Sequence, residues 1–371
     1  MSLRLRPISR QEHLAFIATR PSVSFLQCPA WAQVKSEWAS ESLGWVDEFD
    51  QIRGAGLVLY RKVPRLKRYL AYLPEGPAID WSDGELRQWL DPLVDYMKGR
   101  NAFGIKLGPP VTDRVWRAET IKDAIATKAA KRLPDLPADG RDPLGAHVRE
   151  QLSAMGWHAP PDETGFSPGQ PRYVFQVPLT GQDLDGIFAG FNQLWRRNVR
   201  KAERSGVQIT LGDARDLPIF HELYRLTSER DRFTGRPLAY FEKMYSALAA
   251  EAPDRIRLYL AKHEGETLAA TLWVRVGDHV WYSYGASTNH KREVRPSNAI
   301  QWQMLKDAYA AGADVYDMRG ISDTLDESDH LFGLIQFKLG TGGQAVEYIG
   351  EWDLPLNKLL YKAFEAYMAV R

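Results

Sequence analysis

The chain has 371 residues, 44% of them hydrophobic and 26% charged, with a net charge of only +1. That length holds roughly two domains, and the near-neutral balance excludes a general nucleic-acid coat, so any anion site is a local patch. A lone cysteine, Cys28, excludes an internal disulfide, and no stretch approaches the roughly 18 apolar residues of a membrane span.

The N-terminus MSLRLRPISR lacks the apolar core of a signal peptide, so a cytoplasmic protein is expected. The histidines are scattered without metal-ligand spacing, and no metal site is expected. Ser9 and Glu12 have the spacing of a capping box and open the first helix. Pro29 suits a first helical turn, so a helix is expected from there through Trp38, with Lys35 on it. Residues 54–64 and 67–77 read as two strands joined at Pro64–Arg65–Leu66. Arg61, Lys62, Arg65, Lys67 and Arg68 cluster around that turn. Ser82 and Glu85 repeat the capping-box spacing ahead of a helix to about Lys98. A strand over 102–110 ends in Gly108–Pro109–Pro110, and a helix is expected over 112–132. Residues 133–143 read as a linker, followed by a short helix to Met155 and a Pro- and Gly-rich stretch at 158–171.

The strand Arg172–Leu179 leads into the most charged helix of the chain, Phe191–Gly206. Arg196, Arg197, Arg200, Lys201 and Arg204 stand there against one acid, Glu203. At helical spacing Arg196, Arg200 and Arg204 share a face, with Arg197 and Lys201 beside it. Like charges four residues apart repel, so an anion is expected against them, and phosphate fits best. A strand at 207–211 and a helix over 217–232 come next, then strands at 255–263, 267–276 and 279–287. A helix over 297–311, a strand at 315–318 and a helical stretch within 330–343 complete the second half. The tail is an amphipathic helix whose packing side is read as Leu356, Leu359, Leu360, Ala363, Phe364 and Tyr367.

The halves echo one another. Paired strands ending at Gly76, a helix and a strand ending at Gly108 are repeated at Gly285 and Gly320. The reading is two copies of one α/β unit meeting across a cleft. The first spans 1–165 with the C-terminal helix at 346–371, and the second 166–345.

Three stretches carry a resemblance to the FemABX family of peptidoglycan aminoacyltransferases. They are LQCPAWAQVK, RRNVRKAERSGV, and WYSYGAS followed by the FKLG that holds Phe337 and Lys338. The resemblance implies two acetyltransferase-like (GNAT-like) domains facing each other. It also implies transfer of an amino acid, glycine or alanine, from aminoacyl-tRNA to the side-chain amine at position three of the peptidoglycan stem peptide. The implied acceptor is lipid II or its UDP-MurNAc-pentapeptide precursor. Lys35 and Arg196 match the family's phosphate-binding pair, with Arg197 and Arg200 as neighbouring substrate contacts. Phe337 and Lys338 match its late catalytic pair, and Tyr282 and Tyr284 its Tyr-x-Tyr-Gly motif. Lys338 is expected as an ammonium at a cleft wall, ready to meet an oxyanion. Arg65, Lys67 and Arg68 are expected to touch tRNA phosphates or lipid head groups, the latter at the inner face of the membrane.

Two departures stand out. Lys106–Leu107–Gly108–Pro109 lacks the aspartate that many members carry where Gly108 stands. The stretch from Thr227 to Ile256 is too short for the coiled-coil arm of some members. The aminoacyl ester is already activated, so the chemistry asks for no cofactor, only positioning and oxyanion stabilisation. Two other readings compete. A coenzyme A-dependent N-acyltransferase would need an Arg-x-x-Gly-x-Gly/Ala loop, which the sequence lacks. A non-catalytic RNA- or membrane-binding scaffold would bind tRNA and form no product.

Overall fold

The computed structural model describes residues 3–63, 67–159 and 169–369. The chain divides into two compact units. The first holds 1–115, 138–172 and 346–371, and the second 116–137 and 173–345.

In chain order the first unit supplies β1 (Arg4–Pro7), α1 (Arg10–Ala18), α2 (Ala30–Val34), β2 (Ala39–Val46), β3 (Ile52–Lys62), β4 (Tyr69–Leu73), α3 (Arg87–Gly99) and β5 (Ala102–Leu107). The strand β6 (Thr112–Arg117) carries the chain into the second unit, which receives α4 (Ala118–Thr127). The chain returns for β7 (Gly140–Arg141) and α5 (Pro143–Ala154). The second unit then runs through β8 (Tyr173–Pro178), α6 (Leu184–Gly190), α7 (Gln193–Arg204), β9 (Gln208–Gly212), α8 (Leu217–Asp231) and α9 (Leu238–Glu251). It continues with β10 (Ile256–His263), β11 (Glu266–Val276), β12 (His279–Ser287), α10 (Pro296–Ala310), β13 (Val315–Gly320) and α11 (Phe332–Leu339). The strand β14 (Gln344–Tyr348) leads back to β15 (Trp352–Pro355) and α12 (Lys358–Ala369) in the first unit.

The two units share one topology. In the first the strand order is β1-β2-β3-β4-β5-β15, and β4 and β5 are the parallel pair. In the second, β9-β10-β11-β12-β13-β8 repeats it, with β12 and β13 parallel. A parallel pair requires a crossover, and α3 and α10 supply it. Residues Trp89, Leu90, Leu93 and Met97 of α3 are buried at helical spacing against the sheet core of Trp45, Val58, Leu73 and Ile105. In the second unit Trp273, Tyr259 and Phe175 are fully buried, and the Tyr316 hydroxyl donates to Gln301 Oε1 of α10 at 2.7 Å. Both units are thus mixed α/β copies of one topology, as the repeated spacing implied.

Local expectations fared differently. The capping box of α1 is present: the Glu12 amide donates to Ser9 Oγ at 3.1 Å and the Ser9 amide to Glu12 Oε2 at 2.7 Å. The second one is absent, because Ser82 Oγ donates to Asp80 and α3 starts only at Arg87 without a side-chain cap. The helix that carries Lys35 ends at Val34; Lys35 is its C-cap, and β2 begins four residues later, at Ala39. The stretch 112–132 is not one helix. Its first six residues are the strand β6, with Asp113 and Trp116 buried. Reading them as helix hid the crossing, so 116–137 were placed in the first unit when they belong to the second. Between Thr227 and Ile256 lie only the end of α8, a short connection and α9, so no coiled-coil arm is inserted. On α12 the packed side is Leu360, Tyr361 and Phe364, with the last two against Phe103 at 6.1 and 5.3 Å between ring centroids. Leu359 and Tyr367 are exposed (80% and 40%): Leu359 lies about 100° around the helix from Leu360, and Tyr367 lies a turn beyond Phe364, past the residues packed on Phe103.

Candidate active site

In the second unit the decisive feature is where β12 and β13 part. Their parallel pairing stops at Trp281 opposite Asp317, although β12 runs on to Ser287 and β13 to Gly320. Beyond that point β13 bends: Arg319 takes a left-handed φ of 63°, and Asp317 Oδ1 accepts from the Arg319 amide at 2.6 Å. The bend strands three carbonyls. Lys338 Nζ, from α11, donates to all three: Met318 O at 2.7 Å, Arg319 O at 3.2 Å and Gly320 O at 2.7 Å. Burial draws the Lys338 pKa down to about 7, opposed by Asp317 and reinforced by Arg319. Sequence reasoning expected an ammonium with free donors facing a reacting group. The structure corrects this, because an ammonium has three N–H bonds and all three are used by the strand end. Asp317 is likewise buried, held by Gln176 and by His279, whose ring stacks on Trp281 at 4.1 Å. Its contact with the Arg319 amide caps the turn.

The tyrosine motif sits on a β-bulge. Leu272 pairs with Tyr284 and Trp273 with Tyr282, so Ser283 is the extra residue and the strand's alternation breaks there. Tyr282 lies along the backbone of Gly285, where a Cβ would fall within 1.7 Å of its hydroxyl. Burial pushes its pKa up to about 12. Tyr284 instead joins an aromatic group on α8 and α9. Its hydroxyl is 3.1 Å from that of Tyr240, and its ring lies 5.1 Å from Phe241 and 6.0 Å from Tyr224. The Arg236 guanidinium stands over the Tyr240 ring at 4.7 Å.

The basic helix α7 buries Trp195, Asn198, Val199 and Ala202. Trp195 lies against Phe337 at 4.8 Å and donates from Nε1 to Phe337 O at 2.9 Å. A Cβ at Gly340 would come within 1.9 Å of that indole, so only glycine admits it. Phe337 therefore acts here as a seat for α7. Arg196 does not share an open face with Arg200 and Arg204. Its Nη1 donates back to Ala189 O at 2.5 Å and Phe191 O at 2.8 Å. The exposed cations are Arg197, Arg200 and Arg204, and Arg200 also rests over the Phe188 ring at 5.5 Å. Both bonds are donated from one nitrogen, Nη1, and fix the Arg196 side chain.

In the first unit, Lys35 is half-buried beside Glu37, 3.8 Å away. Trp38 lies over Tyr72 at 6.2 Å, with the Arg61 guanidinium 5.6 Å from its ring. Tyr72 donates to Glu351 Oε1 at 2.5 Å and accepts from Gln170 Nε2 at 3.2 Å. Sequence reasoning missed Glu351. Burial raises its pKa, against the pull of Lys106 and of the Tyr72 hydrogen bond. Its position answers the departure at residue 108, since a Cβ on Gly108 would fall 2.9 Å from Glu351 Cγ. The carboxylate missing from the strand end is thus brought beside it by a residue 243 positions later in the chain. No motif spacing signals that pairing. On the basic turn, Lys67 and Arg68 are exposed and Arg68 donates to Asn101 Oδ1 at 3.3 Å; Arg65 lies outside the described residues.

Lys338→Met removes three donors at once. Each carbonyl left bare costs about 1–3 kcal/mol. The variant is therefore expected to lose at least about 2 kcal/mol in urea unfolding. An unchanged midpoint would show that the ammonium is dispensable to the strand end.

The sequence matches the FemAB family over residues 8–263 and 255–368. It is 28% identical to a lipid II:glycine glycyltransferase of Staphylococcus haemolyticus strain JCSC1435, over 96% of this chain and 94% of that one. A protein of the same name from Staphylococcus aureus strain MRSA252 is 27% identical over the same shares. The first alignment spans 425 positions, so the relative has at least 54 residues with no counterpart among the 371 here. The fold superposes on the crystal structure of FemX with a TM-score of 0.82 and 26% identity, covering 98% of this chain and all of that one. Matched along nearly its whole length by family, relatives and fold, the chain belongs to the FemAB family of peptidoglycan aminoacyltransferases.

Proposed function

We propose that the protein transfers glycine from glycyl-tRNA to the side-chain amine at position three of the peptidoglycan stem peptide, with lipid II as acceptor. What carries the reading is the full-length match to relatives named lipid II:glycine glycyltransferases. The amine attacks the ester carbonyl, a C–N bond forms, the bond to the ribose oxygen breaks, and that oxygen takes up a proton. The ester is activated beforehand, so no cofactor enters.

The residues divide the work by their settings. Lys35 and the anchored Arg196 are the proposed diphosphate contacts, with Arg197 and Arg200 as further cations. Glu351 is the proposed proton acceptor, since it supplies a half-buried carboxylate beside Gly108. With Lys338 saturated, Tyr284 is the proposed hydroxyl donor to the oxyanion. Phe337 and Tyr282 support these groups by packing. Lys67 and Arg68 are proposed contacts for tRNA phosphates.

Purified protein, glycyl-tRNA and lipid II are expected to yield a glycine-extended stem peptide, and RNase treatment of the tRNA should abolish it. Product formed without intact tRNA, or only with acetyl coenzyme A, contradicts the reading. In the same assay Lys35→Met and Arg196→Met should each raise the acceptor KM by roughly ten- to a hundredfold, since charge-assisted contacts contribute about 1.5–3 kcal/mol.

Glu351 also makes a pH prediction. Its raised pKa places the loss of the base form above the ordinary carboxylate value of 4.5, so kcat/KM falls as pH drops through the raised value. Glu351→Gln should slow turnover by roughly a hundredfold and remove that acid limb. A variant that keeps the wild-type limb shows that the titrating group lies elsewhere.

A further inference from the structure

The connection between α8 and α9 reads Arg232–Phe233–Thr234–Gly235–Arg236–Pro237, and the transfer reaction as described leaves it unused. Its features point one way. Phe233 is large, apolar and 42% exposed, with one side of its ring braced on Tyr224 at 5.6 Å. Arg236 is exposed and lies over the Tyr240 ring at 4.7 Å, and no ion pair involves it among the described residues. Arg232 is exposed in a left-handed conformation at the end of α8, and no ion pair involves it among the described residues. His221 Nε2 lies 3.1 Å from the Arg236 carbonyl and ties the connection to α8. The exposed ring is thus held in place, with uncompensated guanidinium groups before and after it.

A braced aromatic face flanked by unpaired arginines fits a nucleotide that is not base-paired: the base stacks on the ring and the adjoining phosphates meet the cations. A diphosphate alone would need the arginines and have no use for the exposed phenylalanine. Every tRNA ends in a single-stranded 3′ segment, and the aminoacyl ester sits on its last ribose. We propose that the α8–α9 connection holds the unpaired 3′ end of the tRNA, with a base against Phe233 and phosphates at Arg232 and Arg236. Through Tyr240, Arg236 reaches the hydroxyl pair that includes Tyr284. The subsite therefore adjoins the tyrosine motif within the same unit. This inference rests on the tRNA-dependent reading above.

The test is direct binding of fluorescein-labelled uncharged tRNA, intact or trimmed of its unpaired 3′ end, to the full chain. Wild-type protein should bind intact tRNA roughly tenfold more tightly than trimmed tRNA, the scale of one stacked base. Phe233→Ala should erase the difference by weakening the intact RNA alone, and Phe233→Tyr, which keeps the ring, should preserve it. The exposed ring makes misfolding an unattractive explanation, and the unchanged affinity of Phe233→Ala for trimmed tRNA is the internal check. Wild-type protein that binds both RNAs equally overturns the subsite alone. So does a Phe233→Ala protein that keeps the preference, or that loses affinity equally for both RNAs. Wild-type protein that binds neither RNA overturns the tRNA-dependent reading, and the subsite with it.

Discussion

Three hydrogen bonds from one ammonium hold the second unit's sheet open. Where β13 leaves β12 after Asp317, the strand gives up its ladder partner and exposes carbonyls that a buried sheet cannot leave bare. Lys338 collects those of Met318, Arg319 and Gly320. A lysine is suited to this because its charge strengthens each bond and its three donors match three acceptors. The helix that bears it also bears Phe337, which seats Trp195 and hence the basic helix α7. One short helix thus sets both the separation of two strands and the register of the arginines. A charge-conserving change to arginine would not substitute, since a planar fork cannot reach three carbonyls arranged around a point.

The first unit solves the matching place differently. There β4 and β5 stay paired through Leu73 and Leu107, and the carbonyl that follows, Pro74 O, accepts from Gln27 Nε2 at 2.7 Å. Instead Tyr72, Lys106 and Asp353 stand in one cross-strand row on β4, β5 and β15. Lys106 Nζ bonds Asp353 Oδ2 at 2.9 Å, which leaves Glu351 to the Tyr72 hydroxyl. The same topology therefore carries a saturated cation in one copy and a carboxyl of raised pKa in the other. The two copies share a frame and differ in the side chains at their strand ends.

Much of this was legible in residue spacing. The repeated strand–helix–strand pattern at Gly76–Gly108 and Gly285–Gly320 announced two similar units, because strand alternation and crossover helices leave a strong local signature. The motifs named the family, because their order survives where identity is low. What stayed hidden depends on contacts between distant residues. Thr112–Arg117 carries no pattern that separates a crossing strand from a helix start, and the domain boundary was misplaced with it. The face of α7 was misread because Arg196 turns back to two carbonyls, which helical spacing cannot show. Lys338 looked like a charge at a wall because its three acceptors lie 18 to 20 residues away. Glu351 was invisible because its meaning comes only from standing where a side chain at residue 108 would be.

The central claim is a new amide bond at one nitrogen. Lipid II extended with isotopically labelled glycine from glycyl-tRNA, then fragmented in a tandem mass spectrometer, locates that bond. The account predicts the label on the side-chain amine of the third stem-peptide residue and nowhere else. Label on a sugar, on the peptide's terminal groups, or on the phosphate-linked lipid would contradict it.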